Sequence, residues 1–119
     1  MEYKRSNAPI FWSLFGAGGV VSALLGPVLV LIVGIAVPLG AGLSHDALAY
    51  SRMLAFAQSL IGKLLLFGVI SLFLWHAAHR MFHCLHDFGV HPGIATKLLL
   101  YGTAFAGIVA AAVLLTGIR

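Results

Sequence analysis

The sequence predicts an all-α integral membrane protein with three transmembrane helices. Three observations predict it. Of the 119 residues, 61% are hydrophobic and 8% are charged, against roughly 45–50% and 25% in a soluble domain. Seven basic and three acidic side chains are too few to solvate a globular surface of this size. The apolar residues also fall into three long blocks, each long enough to cross a hydrocarbon core of about 30 Å. The length allows one domain, residues 1–119. One cysteine, Cys84, excludes a disulfide scaffold, and no C-x-x-C pair is present for an iron–sulfur cluster or structural zinc. A net charge of +4 would suggest nucleic acid in a soluble protein. Here the basic residues are scattered, with only Lys4 and Arg5 adjacent, so no nucleic-acid partner is expected.

The first span is expected at residues 10–39, which hold no charged residue. A secretory leader is excluded because its apolar stretch is only about 7–15 residues long. Pro27 lies mid-span and is expected to kink the helix. The connection after Gly40 carries Ser44, His45, Asp46, Ser51, Arg52 and Gln58. Ser44 is placed to cap an interfacial helix starting at His45–Asp46, where an acidic group suits the positive end of the helix dipole. The second span is expected at residues 60–82, with Lys63 snorkelling at its start and Trp75 near its far interface. A polar connection is expected from His83 to Thr96, and the third span at residues 97–118.

Three spans put the termini on opposite sides of the membrane. Lys4, Arg5, Arg80 and Lys97 then face Arg52, Lys63 and Arg119 across the bilayer. The small excess favours a cytoplasmic N-terminus. Helices associate in lipid through close packing of small residues rather than through hydrophobic burial. Gly16, Gly19, Ala23 and Gly26 form one small-residue stripe, and Gly102, Ala106 and Ala110 form another. Either could serve contacts within the chain or with another protein. Three short helices enclose little, so a partner is expected.

The chemistry concentrates in Trp75–Asp87, which holds four of the six histidines. On a helical wheel His76, His79, Arg80, His83, His86 and Asp87 occupy about a third of the circumference, while Ala77, Phe82 and Leu85 lie off that stripe. An arginine at the bilayer centre costs about 2.5–3.5 kcal/mol, so Arg80 must lie near an interface or face protein. Two chemistries fit. Inward-facing histidines are the usual axial ligands of a b-type haem, although spans one and three supply none. Alternatively, arginine and indole N–H groups can donate to a quinone oxygen, with imidazoles carrying protons near neutral pH. Trp12 sits at the same membrane level as Arg80 if three spans are correct.

The segments Phe11-Trp12-Ser13-Leu14-Phe15-Gly16-Ala17-Gly18-Gly19, Asp46-Ala47-Leu48, Leu54-Ala55-Phe56-Ala57-Gln58-Ser59 and His79-Arg80-Met81, followed by His83, His86 and Asp87, resemble the D-type membrane anchors of bacterial fumarate reductases. The likeness runs from about Pro9 to the end of the third span. It implies half of an anchor bundle, paired with a second, C-type anchor and carrying a flavoprotein and an iron–sulfur protein at the inner membrane. The chain would not be catalytic alone; it would belong to a menaquinol:fumarate reductase of anaerobic respiration. Flavin and iron–sulfur clusters would reside in those partners, with no haem and no metal expected here. The family's quinone site, with menaquinone as the expected ligand, implies roles for Trp12, Phe15, His79, Arg80 and His83. Two departures are visible. Where the family has two adjacent histidines after His-Arg-Met, this chain has Phe82 then His83, and its polar head before Pro9 is short. The alternatives are a haem-binding anchor of succinate dehydrogenase type and a small self-associating membrane protein.

Overall fold

Helix begins where the polar head ends. The computed structural model describes residues 7–119; Lys4 and Arg5, and with them half of the N-terminal-side charge count, lie outside the described residues. Helix α1 spans Ala8–Leu31 and opens with a proline in its first turn, where the missing N–H costs nothing. It continues through a π-helical turn, Ile32–Ala36, into α2, Val37–Leu39. Together these make a 32-residue apolar span, whose most apolar 18-residue window has mean hydropathy 2.8. At 1.5 Å per residue that is about 48 Å, enough to cross with tilt.

The expected disturbance at Pro27 is not where the helix becomes irregular. The α-helix passes through Pro27 to Leu31, and the ladder widens at Ile32–Ala36, where the Val37 N–H donates to the Ile32 carbonyl. Pro38 explains the position. It lacks an N–H, and its ring crowds the carbonyl four residues earlier, so the wider turn makes room. Gly40 then stops the helix with φ of 64°, a conformation that glycine adopts without penalty.

The interfacial helix starts later than expected. Residues 44–49 form turns, with the Ala47 N–H donating to Ser44 and the Ala49 N–H to Asp46, and α3 spans Tyr50–Gln58. The expected start at His45–Asp46 is replaced by these turns, and the Asp46 side chain pairs with Arg52 at 3.2 Å. Ser59 breaks the chain between α3 and α4. Its hydroxyl donates to the Phe56 carbonyl at 2.7 Å and accepts from the Gly62 N–H at 3.0 Å, capping α4.

Helix α4 spans Leu60–Asp87 and α5 spans Ile94–Gly117. The second span is therefore longer than residues 60–82, and the connection starting at His83 shrinks to a few residues. The stop is written at Gly89, not at the histidines. Gly89 has φ of 75°, its N–H donates to His86, and the Val90 N–H donates to Leu85. That pair of bonds is the glycine-terminated C-cap that closes many helices. Three further turns of α4 follow Trp75.

Helix α4 is the middle of the bundle, packed against α1 on one side and α5 on the other. What it buries is small. Gly18, Gly62, Ala78, Ala104 and Ala111 are buried with only one larger residue, Leu115. A Cβ on Gly18 would stand 2.5 Å from the Leu72 carbonyl oxygen and 2.8 Å from the His76 Cβ, so the first two spans touch backbone to side-chain root. Gly107 receives the Leu74 side chain in the same way. The large apolar residues face outward, as lipid or a neighbouring protein requires.

The two small-residue stripes divide accordingly. The contact within the chain uses Gly18 and Gly19, while Gly16 and Gly26 have open space around them. Gly102 is also open, and Ala106 and Ala110 are not part of the buried core. At the far end of the bundle the Lys63 ammonium donates to the Ile118 carbonyl at 2.7 Å, and the Gln58 amide donates to the Arg119 carbonyl.

Candidate functional site

The residues that carry chemistry meet at the end of the bundle formed by the start of α1, the later turns of α4 and the start of α5. From α1, Phe11 stacks on Trp75 with centroids 5.8 Å apart. One turn on, Phe15 lies 4.7 Å from the His76 ring at an angle of 7°, and 4.4 Å from the His79 ring. Trp12 meets the edge of Phe15 at 5.9 Å and is otherwise 67% exposed. From α5, Tyr101 packs against Trp75 at 5.4 Å and against Phe82 at 6.0 Å. Its hydroxyl lies 2.8 Å from His79 Nδ1.

These contacts follow from the local sequence. On α4, Trp75, His79 and Phe82 are spaced i, i+4, i+7 and share one face; that face looks into the notch between α1 and α5. His76 lies on the side toward α1. There its Nδ1–H donates to the Phe15 carbonyl at 3.2 Å, and its ring rests against Gly19. Glycine at 18 and 19 is what lets an imidazole and a phenyl ring fit between two membrane helices.

Beyond the notch the imidazoles continue outward along α4. His83 lies 4.3 Å from His79, His86 lies 6.1 Å from His83, and His91 on the following loop lies 6.2 Å from His86. Phe82 presents an edge to both His83 and His86. Phe82 lies off the polar stripe, as expected, yet joins the cluster because the stripe and the ring-bearing face are adjacent and a phenyl ring reaches both.

The five residues singled out in the sequence are therefore all at one end. Phe15 and His79 touch directly, Trp12 reaches them through Phe15, and His83 reaches them through His79. Arg80 follows His79 but turns outward; it is exposed and makes no hydrogen bond or ion pair among the described residues. Sequence reasoning missed Phe11 and Tyr101 and did not count Trp75 among the site residues. Tyr101 had a signal: it is the only residue with a polar ring in an otherwise alanine-, leucine- and glycine-rich span.

The donors here are unusually uncommitted. The Trp75 indole Nε1 is buried with no hydrogen-bond partner among the described residues, although buried polar groups are nearly always paired. Arg80 offers its whole guanidinium fork, and the Trp12 ring lies on the outside. Flat rings beside unspent N–H groups can hold an aromatic carbonyl compound by stacking and by hydrogen bonds to its oxygen. Among the described residues no group of three or more histidine, cysteine, aspartate or glutamate side chains is arranged to hold a metal ion.

Comparison with known proteins identifies the family. Residues 2–116 match the family model that describes the D subunit of fumarate reductase. A curated relative of that name from Vibrio parahaemolyticus is 48% identical over 108 residues, covering 91% of this chain and 84% of the relative. Another from Photobacterium profundum is 47% identical over 102 residues, covering 86% and 84%. A more distant one from a Shewanella strain is 44% identical over 98 residues, covering 82% and 80%. With three apolar helices long enough to cross a bilayer and a family match over nearly its full length, the chain is a multi-pass membrane protein that belongs to the family of fumarate reductase D subunits.

Proposed function

We propose that the chain anchors a menaquinol:fumarate reductase in the bacterial inner membrane and supplies one wall of its quinol-oxidation site. The observation that carries the proposal is the cluster of rings from all three spans at one end, edged by donors with no partner among the described residues. A quinol headgroup needs both: flat apolar walls for its ring and donors for the charge that develops on its oxygens. Arg80 and Trp12 are the donors, Phe15 the wall, and His79 and His83 further donors or proton carriers.

Fumarate itself is reduced elsewhere. The chain has no dinucleotide fingerprint and one cysteine, so flavin and iron–sulfur clusters belong to partner proteins. The ring cluster then lies at the cytoplasmic face, with the N-terminus on that side, where such partners dock. The open faces of α1 and α5 receive the second, C-type anchor to complete a four-protein complex.

The test is Arg80→Ala in the assembled complex. Loss of a fixed donor to a developing oxyanion costs about 10²–10³ in rate, and menaquinol-dependent fumarate reduction is expected to fall on that scale. Reduction of fumarate by an artificial dye, which delivers electrons to the soluble partners directly, should persist. If both rates survive undiminished, the quinol does not bind at Arg80. An optical spectrum of the same preparation separates this reading from a haem-binding anchor, which would show sharp bands on reduction.

A further inference from the structure

We infer that Tyr101 is a positioning residue: its hydroxyl holds His79 at the quinol site in either of its two neutral tautomers. The inference rests on the proposed function, in which His79 faces the quinol.

Two histidines one turn apart on α4 have different partners at the same ring atom. His76 Nδ1 faces the Phe15 carbonyl at 3.2 Å. A carbonyl only accepts, so His76 must keep its proton on Nδ1. His79 Nδ1 faces the Tyr101 hydroxyl at 2.8 Å. A hydroxyl is both donor and acceptor, and it rotates to suit its partner. His79 can therefore carry its proton on either nitrogen, or on both, without losing that bond or turning its ring.

This freedom is what a quinol site needs. With the proton on Nδ1, held by the Tyr101 oxygen, Nε2 presents a lone pair that can take a proton from a quinol hydroxyl. With the phenol donating to Nδ1, Nε2–H can donate to a quinone carbonyl. Removal of two protons and two electrons turns quinol into quinone, so the histidine must serve both forms. The two electrons leave to the iron–sulfur partner. His79 takes the two protons one at a time, passing the first outward to His83, whose ring centroid is 4.3 Å away, before it takes the second.

The phenol is held in place from both sides. Tyr101 lies against Trp75 and Phe82, the residues one turn below and one turn above His79 on the same face of α4. Its hydroxyl is thus directed at the ring between them. Phe15 from α1 lies on the His79 ring at 4.4 Å, and His76 and His83 are the titratable neighbours on α4. No other described residue offers Nδ1 a partner.

Tyr101→Phe removes one oxygen and keeps the ring between Trp75 and Phe82, so packing of the third span is preserved. Removing an orienting partner behind a functional histidine typically costs 10–100-fold. In the assembled complex, menaquinol-dependent turnover, normalised to the dye-driven rate of the same preparation, is expected to fall about tenfold, with little change in KM for the quinol. The solvent deuterium isotope effect on that turnover should rise as proton transfer becomes limiting. His79→Phe should lose as much or more, and the double variant should lose no more than His79→Phe alone, because the two residues act as one unit. Full quinol-dependent turnover in Tyr101→Phe overturns the inference, and so do losses that multiply in the double variant. If instead His79→Phe and Arg80→Ala both retain full quinol turnover, it is the functional reading that fails.

Discussion

The two ends of this bundle spend their polar groups in opposite ways. At the far end, Lys63 and Gln58 donate to the last carbonyls of the chain and Ser59 both donates and accepts across the α3–α4 break. Every one of these bonds ends on the backbone. The groove beside Lys63, about 270 Å³ and lined by Leu60, Leu64, Phe67, Ala112, Leu115 and Thr116, is otherwise apolar. At the near end His76 bonds the Phe15 carbonyl, but the aromatic rings and the other imidazoles mainly contact one another, and Arg80 and the Trp75 N–H bind nothing among the described residues. Bonds to backbone carbonyls close a structure. Side chains that leave donors unspent make a surface for something else. The difference is what supports reading the near end as the proposed site and the far end as scaffold.

Breaking the near end should have the largest effect. A side chain at Gly18 would meet the Leu72 carbonyl and the root of His76, neither of which can move without bending α4. Gly18→Val is expected to force the first two spans apart and to separate Phe15 from His76 and His79. Overpacking of this kind costs typically about 1–3 kcal/mol, so the yield of assembled complex from membranes should fall severalfold, and quinol turnover with it. Gly26→Val sharpens the comparison, because Gly26 has nothing within 4 Å in this chain. If Gly26→Val also lowers assembly, the open face of α1 is where the second anchor packs. If neither variant affects assembly, the close crossing at Gly18 does not hold the site together.

The scaffold end should respond more weakly and in a different observable. Lys63→Met keeps the stem packed in its groove and removes the bond to Ile118. A hydrogen bond from a charged donor contributes about 1.5–3 kcal/mol, and partial exposure brings the expected loss to the lower part of that range. Detergent-solubilised complex should unfold a few degrees lower, while turnover per assembled complex with menaquinol stays nearly unchanged. A large turnover loss at full assembly would mean that this end, too, takes part in the reaction.

The fold was legible because membrane insertion writes it in composition: long uncharged runs have only one way to satisfy their backbone in lipid. The cluster's level in the membrane was legible for the same reason, since three spans force Trp12 and His79 to one side. Element ends were harder. The polarity of His83, His86 and Asp87 suggested a loop, yet polar side chains at an interface do not unwind a helix; the left-handed glycine at 89 does. Tyr101 escaped because its role depends on which face of α5 meets α4, and a helix that is apolar all round carries no such mark. Periodicity shows which residues share a face. It does not show which neighbour that face meets.

The smallest expected effect lies in the connection between the first and second spans. There the Ser44 hydroxyl, then the backbone N–H of Asp46 itself and the nearby Arg52 charge, hold the Asp46 carboxyl below its ordinary value of 3.8. A carboxylate favoured in the folded loop stabilises it at every pH above the ordinary carboxylate range, and the contribution is lost as pH falls through the lowered value. Limited proteolysis of the loop should therefore be indifferent to pH between about 5 and 8, and the loop should open only in acid. Because the serine is the larger influence, Ser44→Ala should raise the Asp46 titration midpoint further than Arg52→Met, as read by carboxyl chemical shifts. The reverse order would mean that the 3.2 Å ion pair, exposed on both sides, orders this turn more than its own hydrogen bonds do.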